Sequence, residues 1–284
     1  MIKRKLVLEF TKMSGNGNDF IVIDNRFYNF SAEELSDLAQ RFCPRRTGIG
    51  ADGILAFMLP DDPEHQYRMK YFNADGSLGT MCGNGARCLA RFARHAGVDA
   101  TQMRFESDAG VYTAEASAEE DAPVRIYVKP PQDLTLEKLT HPQLEAPAHY
   151  IWTGTEHLVS FTDTVADTPV VALGRTLRHA PELGPNGANV NFVSVMQRGT
   201  ADSPAELRVR TYEKGVEDET LACGTGAMAS AVIAKKTQLI DASSVAVHMA
   251  GGTLGVGFAD AGETVENLYL EGPVQTIYRG TTEV

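Results

Sequence analysis

The sequence predicts an α/β (α+β) fold built from two similar lobes, on three observations. Strand-like and helix-like stretches alternate along the whole chain. The stretch Met81-Cys82-Gly83-Asn84-Gly85-Ala86-Arg87-Cys88 has a counterpart half the chain further on, Ala222-Cys223-Gly224-Thr225-Gly226-Ala227, and each opens an apolar helical run. At 284 residues the chain also exceeds the usual size of one compact domain.

The first lobe starts with a strand through Leu6-Val7-Leu8-Glu9-Phe10. It is followed by Gly15-Asn16-Gly17-Asn18, whose residue types suit positive φ, and by a strand at Ile21-Val22-Ile23-Asp24. Ser31 and Glu34 form a capping box, with Leu35, Leu38, Ala39 and Phe42 on one helical face. A glycine-punctuated loop, Arg45 to Gly53, enters the strand Ile54 to Phe57. Tyr67 to Phe72 is the next strand, and Asn73-Ala74-Asp75-Gly76 is a turn leading to Cys82. Ala86 to Ala96 reads as a largely buried helix ended by Gly97, after which Met103 to Glu106 and Val111 to Glu115 form a hairpin.

Pro130-Pro131 interrupts the pattern, and the twenty residues beyond it are extended and weakly periodic, as in an interdomain connection. The boundary is therefore placed there: a lobe of residues 1–130, with a C-terminal strand 274–284 returning to it, and a lobe of residues 131–273, the active site lying in the cleft between them. In the second lobe Trp152 to His157 breaks a strand, Thr168-Pro169 starts a helix, and Asn186 to Phe192 leads into another strand. Leu207 to Thr211 alternates as a half-buried strand, Glu217-Asp218-Glu219 reads as a charged loop, and short strands surround Val245, Leu254, Leu268 and Val274.

Composition narrows the function. Hydrophobic residues at 43% and charged residues at 22% describe a soluble globular chain, and the net charge of −11 disfavours nucleic acid and anionic lipid as partners. The chain has no apolar run of membrane-spanning length, and its basic opening, Met1 to Lys5, has no signal-peptide core behind it. A cytoplasmic location is expected. Four cysteines are too sparse for a disulfide scaffold.

A cysteine at a helix N-terminus has its thiolate favoured by the helix dipole and by unpaired backbone N–H groups, which also form a carboxylate site. Two such helices aimed at one cleft would set a thiolate and a thiol on opposite faces of a substrate α-carbon. One would take the proton and the other return it with inversion, the developing charge being held by backbone donors. No cofactor is needed. Cys82 and Cys88 are not at zinc spacing, so no metal is expected, and Gly224-x-Gly226 lacks the strand and the acidic residue of a dinucleotide site. Cys43 and Cys88 read as core residues.

Gly15-x-Gly17-Asn18-Asp19-Phe20, Asn73-Ala74-Asp75-Gly76, Cys82-Gly83-Asn84-Gly85-Ala86-Arg87-Cys88 and Cys223-Gly224-Thr225-Gly226 together closely resemble the diaminopimelate epimerases. The asparagine of Cys-Gly-Asn-Gly separates them from proline racemases, which typically carry histidine there. The resemblance implies two pseudo-symmetric lobes, each a curved sheet or barrel around a central helix, usually as a homodimer. It also implies an isomerase without pyridoxal phosphate that interconverts LL- and meso-diaminopimelate in lysine and peptidoglycan precursor biosynthesis.

Carried over by position, Cys223 accepts the proton in the LL to meso direction and Cys82 donates it. Gly83, Asn84, Gly224 and Thr225 cradle the reacting carboxylate. Asn18, Asn73 and Asn189 bind substrate amino and carboxylate groups, Glu213 meets the reacting ammonium, Lys214 the distal carboxylate, and Asp75 and His157 support the site.

The chain departs from that pattern in three places. Gly53 stands where many members have glutamine, which leaves a substrate contact missing or replaced. Thr155-Glu156 stands where an Asn-Pro pair often precedes the histidine. Lys214 stands where arginine is common and keeps the charge without the bidentate fork. The alternatives are a racemase of another amino acid, such as histidine or proline, on the same fold, and a non-catalytic small-anion binding protein.

Overall fold

The computed structural model describes residues 6–79, 81–262 and 264–284, so the basic opening at residues 1–5 lies outside the described residues. The chain forms two compact units. One comprises Met1–Ile126 with Gly272–Val284, the other Tyr127–Glu271. No helix of the described residues is long and apolar enough to cross a membrane.

In the first unit β1 (Val7–Gly15) pairs antiparallel with β2 (Asn18–Asp24). Asn16 and Gly17 join them with φ of 51° and 91°, the backbone of a tight two-residue hairpin turn. After α1 (Asn25–Tyr28), α2 (Ala32–Phe42) starts at the Ser31–Glu34 capping box and buries Leu35, Leu38, Ala39 and Phe42. Then follow β3 (Gly53–Met58), β4 (Tyr67–Asn73), β5 (Leu78–Gly79), α3 (Gly83–His95), β6 (Gln102–Ser107), β7 (Gly110–Glu115) and β8 (Val124–Tyr127). The C-terminal strand Gln275–Glu283 pairs antiparallel with β1. Helix α3 packs on β1, β2, β3, β4 and β7, which surround it.

The second unit contains β9 (Gln132–Leu139), β10 (Ala148–Trp152), β11 (Glu156–Phe161), α4 (Val170–Arg178), β12 (Asn189–Gln197), β13 (Ala205–Glu213), β14 (Asp218–Thr220), α5 (Gly224–Lys236), β15 (Ser244–Met249), β16 (Gly252–Ala261) and β17 (Thr264–Gly272). Helix α5 packs on β10, β11, β12, β13, β15 and β16. It is apolar all round, every residue from Gly226 to Ala234 is buried, and it is the central element of a core that includes Val159, Leu207, Val247 and Leu254.

The two units repeat one pairing order. From β1 to β7 the partners run antiparallel (β1/β2), parallel (β2/β3), antiparallel (β3/β4), parallel (β4/β6) and antiparallel (β6/β7). From β10 to β16 the same succession holds (β10/β11, β11/β12, β12/β13, β13/β15, β15/β16). In each unit a short strand, β5 or β14, hangs on the fourth strand just before the central helix, and each central helix has 13 residues. The duplication read from two cysteine stretches thus extends to the pairing order of β1–β7 and β10–β16.

Three expectations need correction. The stretch after Pro130-Pro131 holds β9, which pairs with β10 in the second unit and is no mere connection. Its register shifts twice, and Asp133 and Glu137 take positive φ, so its side chains do not alternate as a strand's normally do. Glu217-Asp218-Glu219 is partly strand, since β14 pairs with β13 through its backbone, with Asp218 exposed and Glu219 partly buried. Val274 falls between β17 and the C-terminal strand.

Candidate functional site

Cys82 and Cys223 occupy the same structural position, the N-cap of the central helix of their unit. Both have extended backbone, with φ of −131° and −125°, and each carbonyl accepts the first helical hydrogen bond, from Ala86 and Ala227 respectively. Gly83-Asn84 and Gly224-Thr225 then supply the first N–H groups of each helix, which have no carbonyl a turn before them. Cys82 Sγ accepts a contact from the Gly85 N–H at 3.5 Å. Cys223 Sγ lies 3.4 Å from Thr225 Oγ1.

The expectation that a helix terminus leaves the thiol ready to ionise does not hold for Cys223. Burial pushes that thiol up to about 12, the charge of Glu213 adds to the effect, and the Thr225 hydroxyl and the N–H groups of Gly226 and Thr225 offset it only in part. Desolvation outweighs the helix end here because the residue is only 7% exposed. Cys43 and Cys88 are buried and pushed up to about 11 and about 12 by desolvation, as core thiols are.

In the first unit a chain of side-chain amides runs from the helix to the β1/β2 turn. Arg87, fully buried, donates from Nη2 to Asn84 Oδ1 and to Asn16 Oδ1, both at 2.7 Å. Asn84 Nδ2 donates to Asn18 Oδ1, and Asn18 Nδ2 donates to Asp52 Oδ2 at 3.1 Å. Since a guanidinium can only donate, each amide in the chain is oriented without ambiguity. Arg45 bridges Asp52 and Asp19. Burial would raise Asp19, but hydrogen bonds from Arg45 and Lys12 hold it at about 2.

Asn73 belongs to a second cluster. Tyr71 donates its hydroxyl to Asn73 Oδ1 at 2.7 Å, Asn73 Nδ2 donates to Ser77 Oγ at 2.9 Å, and Ser77 Oγ donates to Asp75 Oδ1 at 2.6 Å. Asp75 therefore supports Asn73 through Ser77. The Tyr71 ring explains the departure at Gly53. A Cβ at Gly53 would come within 2.6 Å of Tyr71 Cε2 and 2.4 Å of the Phe72 carbonyl, and one at Gly79 within 2.2 Å of Tyr71 Cδ1. The ring fills the space that larger residues at 53 and 79 would need.

In the second unit Asn189 is almost wholly buried and spends its amide on the fold. Nδ2 donates to the Glu156 carbonyl and Oδ1 accepts from the Lys214 N–H, both at 2.9 Å. His157 is fully buried, and desolvation lowers it to about 3, so the ring is neutral. Asn191 Nδ2 lies 3.0 Å from His157 Nδ1 and donates to the Leu158 carbonyl, while the Thr211 hydroxyl donates to Asn191 Oδ1 at 2.9 Å. With Nδ1 accepting from Asn191, the proton sits on Nε2, a buried atom with no partner among the described residues. Burial raises the Glu213 carboxyl.

The structure thus gathers Asn18, Asn84 and Cys82 around the start of α3, with Asn73 and Asp75 in a neighbouring cluster. Thr225 contacts Cys223 and the charge of Glu213 acts on it, while Asn189 and His157 lie on β12 and β11 and Lys214 follows the end of β13. Asn16, Asp52, Tyr71, Ser77, Arg87, Asn191 and Thr211 were not read as site residues. Asn191 alone carried a signal, as the second of two asparagines, Asn189 and Asn191, spaced two apart within an apolar strand.

The diaminopimelate epimerase family model matches residues 10–132 and 149–277. The diaminopimelate epimerase of Chlorobaculum tepidum is 42% identical over 277 residues, which span 95% of this chain and 99% of that protein. That of Aquifex aeolicus is 38% identical over 279 residues, spanning 96% and 97%. Among solved structures, a phenazine biosynthesis protein of the PhzF family from Bacillus anthracis aligns with a TM-score of 0.71 at 13% identity, covering 98% of this chain and 100% of that one. Methylitaconate-delta-isomerase aligns with a TM-score of 0.70 at 13% identity, covering 99% and 96%. At such identities the likeness is one of fold.

Proposed function

The chain belongs to the diaminopimelate epimerase family, and from that premise we propose that it interconverts LL- and meso-2,6-diaminopimelate by moving a proton at one α-carbon between Cys223 and Cys82. The observation that carries this reading is the equivalence of the two cysteines, each at the N-cap of the 13-residue central helix in a repeated unit. The substrate carboxylate would accept from the helix-start N–H groups of Gly83-Asn84 and Gly224-Thr225, where the helix dipoles also favour negative charge. In the LL to meso direction Cys223 takes the α-proton and Cys82 returns one to the opposite face. Carbanion character is stabilised by those donors in place of a cofactor.

The neutral resting state of Cys223 fits a role that alternates between acid and base. Its ionisation is opposed by burial and by Glu213. A bound substrate ammonium that pairs with Glu213 would cancel the second influence, so the thiolate would be favoured when substrate is present. Asn18, Asn73 and Asn189 would order the substrate's polar groups, with Asp75 and His157 as supports. The protein would act as a cytoplasmic homodimer in lysine biosynthesis.

Incubation with LL-diaminopimelate in deuterium oxide tests the reading. Deuterium should enter at the α-carbon and meso isomer should form, and Cys82→Ala and Cys223→Ala should each abolish epimerisation. Wild-type protein that incorporates no deuterium, or turnover retained in either variant, would refute it.

A further inference from the structure

The two central helices start against different neighbours, although the strand registers around them match residue for residue. Leu55 on β3 pairs with Tyr71 on β4, and Asn191 on β12 pairs with Thr211 on β13. The parallel pairs begin at Phe20 with Gly53 in one unit and at His157 with Asn189 in the other. Phe20 and Leu55 therefore hold the places that His157 and Asn191 hold in the second unit, and all four are fully buried. Gly85 and Gly226, each three residues after its cysteine, face those places. A Cβ at Gly85 would meet Leu55 and Phe20, whereas one at Gly226 would meet Asn191 Oδ1 and Cys223 Sγ.

The fold thus accepts an apolar filling at this place. A buried amide there needs a reason, because every polar atom it brings must be matched against the cost of leaving water. Asn191 is matched on both sides. Its Nδ2 donates to the Leu158 carbonyl at 3.0 Å and lies 3.0 Å from His157 Nδ1, and its Oδ1 accepts from the Thr211 hydroxyl at 2.9 Å. β11, β12 and β13 are tied together through this one side chain. A satisfied network of this kind is rigid and fixes one arrangement, where apolar contact alone allows several.

The first unit places its buried amide differently. Asn84, the second residue of α3, accepts from Arg87 and donates to Asn18. The same place in α5 is taken by Thr225, whose hydroxyl lies 3.4 Å from Cys223 Sγ and whose carbonyl accepts from Thr153. With the helix side chain turned to the sulfur, the strand supplies the amide. Each cysteine-bearing helix start is seated beside one hydrogen-bonded asparagine, Asn84 from the helix itself in one unit and Asn191 from β12 in the other.

We infer that Asn191 is a positioning residue for Cys223. Its amide oxygen lies against Gly226, and so fixes the setting of the helix start that carries the Cys223 sulfur and the Gly226 N–H. The inference rests on the epimerase reading above and assigns Asn191 no contact with substrate.

The test is steady-state epimerisation of LL-diaminopimelate by wild-type protein and by Asn191→Leu, Thr211→Val and Thr211→Ser, with folding followed by circular dichroism. Asn191→Leu installs the residue type that the first unit carries. It should lower kcat roughly 30- to 100-fold and leave KM within about threefold, because the reacting sulfur is displaced while most binding groups stay in place. Thr211→Val keeps the side-chain volume and removes the hydroxyl, and should lower kcat about tenfold, whereas Thr211→Ser keeps the hydroxyl and should stay within about threefold of wild type. A folded Asn191→Leu with the wild-type kcat, an effect confined to KM, or a Thr211→Ser as impaired as Thr211→Val would overturn the inference and leave Asn191 a residue of the core alone. If Asn191→Leu does not fold, the contrast between the two Thr211 variants decides. Wild-type protein without activity would overturn the epimerase reading itself, and this inference with it.

Discussion

Glu213 opposes the ionisation of Cys223: after burial, its charge is the largest influence pushing that thiol up to about 12. Replacing the carboxylate by an amide of the same shape removes a like charge and favours the thiolate. In a Cys82→Ser background, Glu213→Gln should therefore speed alkylation of Cys223 by iodoacetamide severalfold at pH 8, read by peptide mass spectrometry. An unchanged rate would show that the two groups do not interact in solution. On the active sequence the same change should slow epimerisation, since the reacting ammonium would lose its counter-charge.

The glycines at the two helix starts differ in what surrounds them. A Cβ at Gly226 would lie 2.3 Å from Asn191 Oδ1 and 3.3 Å from Cys223 Sγ, so the amide that holds His157 and Thr211 would have to move. A Cβ at Gly85 would meet Leu55 Cδ2 at 3.0 Å, the end of a flexible side chain. Gly226→Ala should reduce epimerisation roughly 100-fold through displacement of reacting groups. Gly85→Ala should keep most activity, with stability within about 1 kcal/mol of the parent, because alanine is the better helix former. Activity and melting temperature of both variants decide the matter, and equal effects would count against the contrast.

His157 makes stability depend on pH with a definite sign. Its folded pKa, about 3, lies below the ordinary value of 6.5, so between these limits the unfolded chain binds a proton that the folded chain refuses. The contribution is complete above pH 6.5 and declines as pH falls, by up to about 1.4 kcal/mol per pH unit. Asp19 and Glu156, held at about 2, contribute above their unfolded values and lose stability only in more acidic solution. Urea unfolding at pH 7 and pH 5 should thus show a loss that shrinks by about 2 kcal/mol in His157→Asn. An identical pH dependence in the variant would assign it to other groups.

What could be read before the fold was known follows from how far each signal reaches along the chain. Asn16-Gly17 announced its turn because the two residues alone satisfy the required positive φ. Ser31 and Glu34 announced the start of α2, since a capping box closes within four residues. β9 was hidden because its bulges and positive φ at Asp133 and Glu137 destroy the period of two. The ring of Tyr71 could not have been linked to Gly53 and Gly79, as only strand pairing brings the three together. The burial of Arg87 and Arg91 against amide and backbone carbonyl oxygens likewise depends on partners that only the fold supplies.

The sequence by itself determined the chemical groups and the duplication: two cysteines before glycines at matched helix starts, the asparagines around them, and the family to which they belong. The tertiary structure alone decided the state of those groups. Cys223 is a neutral buried thiol beside a carboxylate, His157 is a neutral imidazole, and Lys214 is already matched by Glu156. The reason is physical. Residue identity is local, whereas desolvation and Coulomb interactions depend on what chain folding brings within a few ångströms, from residues as distant in sequence as Glu156 and Lys214.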